Sequence, residues 1–123
     1  MTTKLSKSLV IVGGGPAGMA AAVAAYDDGI KDIVILERER ALGGILRQCI
    51  HNGFGLHRFG EELTGPEYAD RYAKEVAKRR IPVMLNSTVI SISAERVVTA
   101  MNEELGVFTI DAGAIILAMG CRE

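Results

Sequence analysis

The feature that most narrows what this chain can fold into lies near its start. A continuous apolar run, Leu9-Val10-Ile11-Val12, breaks at once into Gly13-Gly14-Gly15-Pro16-Ala17-Gly18. Consecutive apolar residues without alternation predict a strand buried on both faces, as in a parallel sheet. Pro16 to Asp28 is then dominated by alanine and other small residues. Alanine is the best helix former, and Pro16 suits a first-turn position because its missing N–H would have no partner there. Gly29 can supply the left-handed residue that ends the helix. Asp27 and Asp28 stand against the dipole at that end, a small local cost. Ile33-Val34-Ile35-Leu36 is a second apolar run, closed by Glu37. Strand, helix and strand this close together predict a right-handed βαβ unit with parallel strands.

In that setting Gly13-x-Gly15-x-x-Gly18 has the spacing and context of a dinucleotide fingerprint: it follows a strand and opens a helix. Gly13 permits the tight turn, Gly15 lets the main chain approach a pyrophosphate, and Gly18 lets the helix approach the strand. The N–H groups of Ala17 and Gly18, just after Pro16, then face the diphosphate. Ala22 extends the close packing one turn further. Glu37 stands about 20 residues beyond the glycines, where a carboxylate can accept from both ribose hydroxyls and repel a 2′-phosphate. This favours FAD or NAD over NADP, an exclusion that the neighbouring Arg38 weakens slightly. The competing reading is a glycine-rich turn of some other α/β protein, which the surrounding strand, small-residue helix, strand and terminal Glu argue against together.

Downstream, Gly43 to Gly65 is glycine-rich and aperiodic, long for a loop in a compact domain, so it is functional or ordered in short pieces. Thr64-Gly65-Pro66-Glu67 starts a second helix. Tyr68, Ala69, Tyr72, Ala73, Val76 and Ala77 share one face of it, and Glu67–Arg71, Asp70–Lys74 and Glu75–Arg79 are spaced i,i+4 on the other. Ile81 to Leu85 reads as a third parallel strand. Thr88 to Ser93, Arg96 to Ala100 and Val107 to Asp111 alternate as an antiparallel β-meander, with a polar turn at Asn102 to Gly106. Ala114 to Ala118 reads as the last buried strand. The expected class is α/β, a Rossmann-like, mostly parallel sheet with a meander insertion. No helix or strand is read beyond Ala118, so a truncated unit is expected, with residues 1–123 as the N-terminal part of a dinucleotide-binding domain.

Composition bounds the function. The chain has 123 residues, 49% hydrophobic and 24% charged, as expected of one globular domain with a core. Its formal net charge of −1 gives no global field toward nucleic acid or an anionic membrane. Lys78-Arg79-Arg80 reads as a solvated helix end that complements the dipole, ahead of a phosphate-binding patch. The apolar runs are too short for a targeting segment or a membrane span. Cys49 and Cys121 form no disulfide framework, so a reducing, cytoplasmic setting is expected.

Three further motifs, in order along the chain, resemble the FAD-dependent pyridine nucleotide oxidoreductases of the glutathione-reductase-like, two-dinucleotide-binding-domain type. Leu42-Gly43-Gly44 resembles that family's double glycine, where the chain passes the flavin side of the cofactor. Thr88-Val89 resembles the segment whose main chain contacts adenine. Ala114-Ile115-Ile116-Leu117-Ala118-Met119-Gly120 is similar to its Ala-Thr-Gly motif, with Met119 in place of threonine. The resemblance implies FAD as cofactor. It implies NAD(P)H as a partner through a second domain that this segment does not include, and it leaves oligomerisation open. Gly43 to Leu63 is also similar to a subgroup of bacterial flavin oxidoreductases sometimes linked with glycerol 3-phosphate metabolism. One departure stands out: the family's disulfide reductases carry a Cys-x4-Cys pair just after the double glycine, and only Cys49 stands here. That excludes a redox dithiol in this segment.

Other candidates carry two readings each. Cys49 is either a reactive thiol beside the flavin or, as free cysteines more often are, a small buried hydrophobe. His51 and His57 lack the carboxylate or cysteine pattern of a metal site, and each is either an acid or base near the flavin or a solvated loop residue. Arg47 meets an anionic cofactor or substrate, or lies on the surface. The expected cofactor-binding set is therefore Gly13, Gly15, Pro16, Ala17, Gly18, Glu37, Arg38, Gly43, Gly44, Arg47, Val89, Ala118, Met119 and Gly120, with no catalytic residue assigned and no metal. The expected function is the FAD-binding portion of a flavin-dependent oxidoreductase, this segment alone inactive and weak or empty in FAD. The alternatives are a non-catalytic nucleotide-binding module and an NAD-only dehydrogenase domain.

Overall fold

The structure, a computed structural model, describes residues 2–43 and 65–119. The elements run β1 (Thr3–Val12), α1 (Pro16–Asp27), β2 (Ile33–Leu36), α2 (Gly65–Lys78), β3 (Val83–Met84), β4 (Thr88–Ile92), β5 (Val97–Asn102) and β6 (Gly106–Leu117). They form one six-stranded sheet in the order β3-β2-β1-β6-β5-β4. The pairs β3/β2, β2/β1 and β1/β6 are parallel, whereas β6/β5 and β5/β4 are antiparallel. The expected Rossmann-like α/β class with a meander is the fold observed.

The buried βαβ core follows from the apolar runs. Leu9, Ile11, Ile33 and Ile35 face the helices and pack with Met19, Ala22 and Val23 of α1 and Tyr72 and Val76 of α2. Val10, Val12, Val34 and Leu36 point the other way, into a second core with Val98, Ala100, Phe108 and Ile110 of the meander. Helices cover one face and the meander the other, which is why β1 and β2 can be apolar at consecutive positions.

The second core requires a curled sheet. β3 and β4 lie at opposite edges of the strand order, yet only Leu85, Asn86 and Ser87 separate them along the chain. So short a link reaches at most about 14 Å. The sheet therefore curls until its two edges approach without pairing, and the meander folds over the inner face of the parallel strands.

Two expectations are corrected here. The last meander strand and the final parallel strand are one strand, β6, which pairs with β5 from Gly106 to Asp111 and with β1 from Phe108 to Leu117. Gly113 makes that continuity possible: a Cβ there would come within 2.7 Å of the Ser8 carbonyl oxygen on β1. The end of that strand is also not buried as expected, with Ile116 at 36% and Leu117 at 59% exposure. The Ala112 N–H still donates to the Arg96 carbonyl, and beyond it β6 is paired with β1 alone among the described residues.

The helix ends are set by backbone chemistry. At the end of α1 the Gly29 N–H donates to the Tyr26 carbonyl and the Ile30 N–H to that of Ala25, a Schellman closure with Gly29 at φ 108°. The same closure ends α2, from Arg80 N–H to Ala77 and from Ile81 N–H to Val76, with Arg80 at φ 55°. On α2, Ala69, Tyr72 and Val76 are buried as expected, but Ala77 is exposed. The face that meets the sheet is narrower than its apolar composition suggests. The ion pairs Asp70–Lys74 and Glu75–Arg79 form.

Arg79 also explains Asp27. Its Nε and Nη2 donate to the Asp27 Oδ1 and Oδ2 at 2.8 and 2.9 Å, so the carboxylate opposed to the α1 dipole is held by a cation from α2. These hydrogen bonds, to Asp27 first and Glu75 second, raise the guanidinium pKa further above its ordinary value. Within the basic cluster Arg79 is thus not a solvated helix end but clasps the two helices together, whereas Lys78 and Arg80 are exposed as expected.

Candidate functional site

Because β1, β2, β3 and β6 run parallel, the segments after their C-terminal ends gather on one rim. In open α/β sheets that rim is where ligands bind. Here it consists of Gly13–Gly15, Glu37–Glu39, Leu85–Ser87 and Ala118–Met119.

The glycine turn divides by physical cause. Gly13 has φ 116°, and a Cβ on it would collide with the Ala118 carbonyl. A Cβ on Gly18 would collide with the Gly13 carbonyl, so this glycine lets α1 seat against the turn. Gly15 is different. A Cβ there meets nothing within 4 Å, so no contact within the described protein calls for glycine. Gly15 is also the N-cap of α1, in extended conformation and without a side-chain cap hydrogen bond, and the first turn of α1 carries no acidic residue. The early amides of a helix have no intrahelical acceptor, and they carry the positive end of its dipole. The space above Gly15, beside the N–H groups of Ala17 and Gly18, therefore has the chemistry of a cradle that can take an anion.

Glu37 borders that cradle. It is 7% exposed; its Oε1 accepts from the Gly14 N–H at 2.7 Å and its Oε2 from the Glu39 N–H at 2.8 Å. A carboxylate offers about four lone-pair sites, so two remain for a diol. Gly14, which the sequence reading passed over, joins three segments. Its N–H holds Glu37, its carbonyl accepts from the Gly43 N–H at 2.8 Å, and a Cβ would meet the Leu42 side chain at 2.5 Å. The chain at Leu42-Gly43 is thereby fastened to the phosphate turn.

The third side of the rim is main chain. The Glu37 N–H donates to the Met84 carbonyl, the Asn86 N–H to that of Glu39 and the Ser87 N–H to that of Glu37. Ser87 is 2% exposed, a buried polar residue that sequence reasoning missed. Val89, half-buried, follows on β4, and the Ala118 N–H donates to the Val12 carbonyl at 2.8 Å. Arg38 is exposed and lies 3.6 Å from the Glu39 carboxylate. Pro16 is half-buried, Ala17 exposed and Met119 56% exposed. Gly44, Arg47, Cys49, His51, His57 and Gly120 lie outside the described residues. Among the described residues no group of three or more His, Cys, Asp or Glu could hold a metal ion. No helix among them is long and apolar enough to cross a membrane.

Residues 7–123 match the family model described as pyridine nucleotide-disulphide oxidoreductase. The chain belongs to that family. FAD is the cofactor of pyridine nucleotide-disulphide oxidoreductases of this kind, and the open cradle at Gly15 with the acid at Glu37 fits it. The chain is 34% identical to hydrogen cyanide synthase subunit HcnB of Pseudomonas protegens over 97% of its own length and 25% of the relative's. Against the same-named subunit of Pseudomonas aeruginosa it is 29% identical over 93% of its length and 24% of the relative's. It therefore spans about a quarter of the length of these two relatives. Among solved structures, L-proline dehydrogenase from P. horikoshii superposes with a TM-score of 0.80 at 19% identity, over 98% of this chain and 24% of that one. Thioredoxin reductase from Streptococcus pyogenes superposes at 0.72 and 21% identity, over 95% of this chain and 36% of that one. These likenesses carry the fold of this pyridine nucleotide-disulphide oxidoreductase segment.

Proposed function

We propose that this chain is the FAD-binding N-terminal part of a flavin-dependent oxidoreductase that passes hydride or electrons between a pyridine nucleotide or small substrate and an acceptor. In this reading Gly13, Gly15, Pro16, Ala17 and Gly18 cradle the diphosphate, Glu37 holds the adenosine ribose, and Arg38 flanks it. Val89 runs beside the adenine. Gly43, Gly44 and Arg47 line the flavin side, and Ala118, Met119 and Gly120 close the cradle from the last strand. When bound, FAD supplies the redox chemistry, and these residues bind, orient and shield it.

One observation carries the reading: among the described residues nothing fills the space above Gly15 or pairs the first amides of α1 beside it, and a buried carboxylate lies on its border. The family's description supports NAD(P)H as reductant, acting through a second domain. Just after the double glycine Cys49 stands without a second cysteine at Cys-x4-Cys spacing, and Cys121 comes only near the end of the sequence, which speaks against the dithiol of a disulfide reductase in this segment.

Anaerobic mixing of the FAD-loaded full-length protein with NADH or NADPH tests the proposal. It predicts bleaching of the flavin absorbance by one of the two nucleotides or by a reducing substrate. A protein that binds the nucleotide but never transfers electrons is instead the non-catalytic module.

A further inference from the structure

Asn102 lies in what the sequence presents as a plain polar turn between β5 and β6, yet its side chain reaches outside that turn. Its Oδ1 accepts from the Leu105 N–H at 2.7 Å, which fixes the orientation of the amide. Its Nδ2 then donates to the Ser87 Oγ at 3.0 Å. The Ser87 hydroxyl has one proton, and that proton goes to the Leu85 carbonyl at 3.0 Å. Toward Asn102 the serine therefore offers only lone pairs. Ser87 is 2% exposed, and its own N–H donates to the Glu37 carbonyl at 3.0 Å. Next to it Asn86, at φ 52°, donates its N–H to the Glu39 carbonyl. Asparagine is among the non-glycine residues that take this left-handed conformation most readily, so Asn86 turns the loop at little cost.

We infer that Asn102 is a positioning residue for the nucleotide-sugar site, acting through Ser87 on the Leu85–Ser87 loop and so on Glu37. The inference rests on the reading of Glu37 as the ribose acceptor. The demand at position 102 is specific. One atom must accept from Leu105 and another must donate to Ser87, and an amide of this length supplies both. Aspartate would keep the turn, since its carboxylate still accepts from Leu105. It would also draw the serine proton away from the Leu85 carbonyl and release the loop.

The test compares ADP with 2′-deoxy-ADP, by calorimetric titration of the FAD-free full-length protein as wild type, Asn102→Asp, Ser87→Ala and the double variant. An acceptor seated on the ribose discriminates between the two ligands, and loss of one hydrogen bond to a charged group corresponds to roughly tenfold or more. The wild type is expected to prefer ADP by about that factor. Because the Gly14 and Glu39 N–H groups still hold the Glu37 carboxylate, both variants are expected to lower the ratio without abolishing it, and the double variant to add nothing further. A purely structural role would weaken both ligands alike and leave the ratio unchanged. Full discrimination retained in Asn102→Asp, or in Ser87→Ala should the first variant not fold, overturns the inference. A wild type that does not discriminate at all overturns the reading of Glu37 itself, a separate result.

Discussion

The carboxylate of Glu37 and the main-chain N–H of Gly14 meet at 2.7 Å in a buried hydrogen bond. The acid assigned to the sugar is thus already fastened to the turn assigned to the phosphates. Fixing two parts of a site before the ligand arrives lowers the ordering cost of binding.

Replacing Glu37 by Gln tests that fastening. Two main-chain N–H groups, of Gly14 and Glu39, now share one carboxylate. A glutamine has one acceptor oxygen, so one of these N–H groups would face an NH2 donor. Leaving a donor unsatisfied costs about 1–3 kcal/mol, and urea unfolding should show a loss in that range. Nucleotide selectivity should change as well: with the charge gone, the penalty against a 2′-phosphate falls, measured as the affinity of 2′-phospho-ADP relative to ADP.

The two helices answer to a different pair. Arg79 bridges Asp27 and Glu75 with its side chain 20% exposed, while Asp27 is 54% exposed. A partly wet pair of this kind contributes about 0.5–1 kcal/mol and weakens with salt. Arg79→Lys keeps the charge but loses the planar fork, so it should forfeit most of that contribution. The raised pKa of Arg79 means this stability is complete below the ordinary arginine range and is lost only as pH rises through the still higher folded value. Between pH 7 and 10 the wild-type minus Arg79→Lys difference should therefore stay flat. A difference that falls within that window would contradict the assignment.

Helix ends give a paired prediction of opposite sign. Arg80 occupies the left-handed position after α2 at φ 55°, where a side chain is strained and glycine is not. Arg80→Gly should stabilise the chain by up to about 1 kcal/mol, seen as a higher midpoint in thermal or urea unfolding. Gly29 holds the equivalent place after α1 at φ 108°, which non-glycine residues rarely adopt, so Gly29→Ala should destabilise by about 1 kcal/mol or more.

Much of this was legible from residues that act locally. Ile33–Leu36 is a strand with the bounds its four apolar residues suggest, and the closure at Gly29 followed from one glycine after an alanine-rich run. What escaped was set by distant partners. The Thr3–Ser8 part of β1 carries mostly polar residues, and its strand state comes from pairing with β6. Asp111 and Gly113 look like a break between two strands, yet the glycine is what lets a single strand pass close to Ser8. Asp27 finds Arg79 across 52 positions, and Asn102 finds Ser87 only because the sheet curls. At the rim, Gly13, Gly15, Gly18 and Glu37 were legible by spacing. Gly14 was not, because its contacts involve Glu37 and the chain at Leu42-Gly43, on segments that only the fold brings together.

The central claim is that Gly15 is glycine for the sake of a bound diphosphate, whereas Gly18 is glycine for the sake of the fold. Gly15→Ala and Gly18→Ala, compared by urea unfolding and by FAD titration of the full-length protein, separate the two causes most directly. Gly18→Ala should lose about 2 kcal/mol or more because its Cβ would meet the Gly13 carbonyl. Gly15→Ala should stay within about 0.5 kcal/mol of wild type and yet bind FAD at least roughly tenfold more weakly. A stable Gly15→Ala protein that holds FAD as tightly as the wild type would contradict the account.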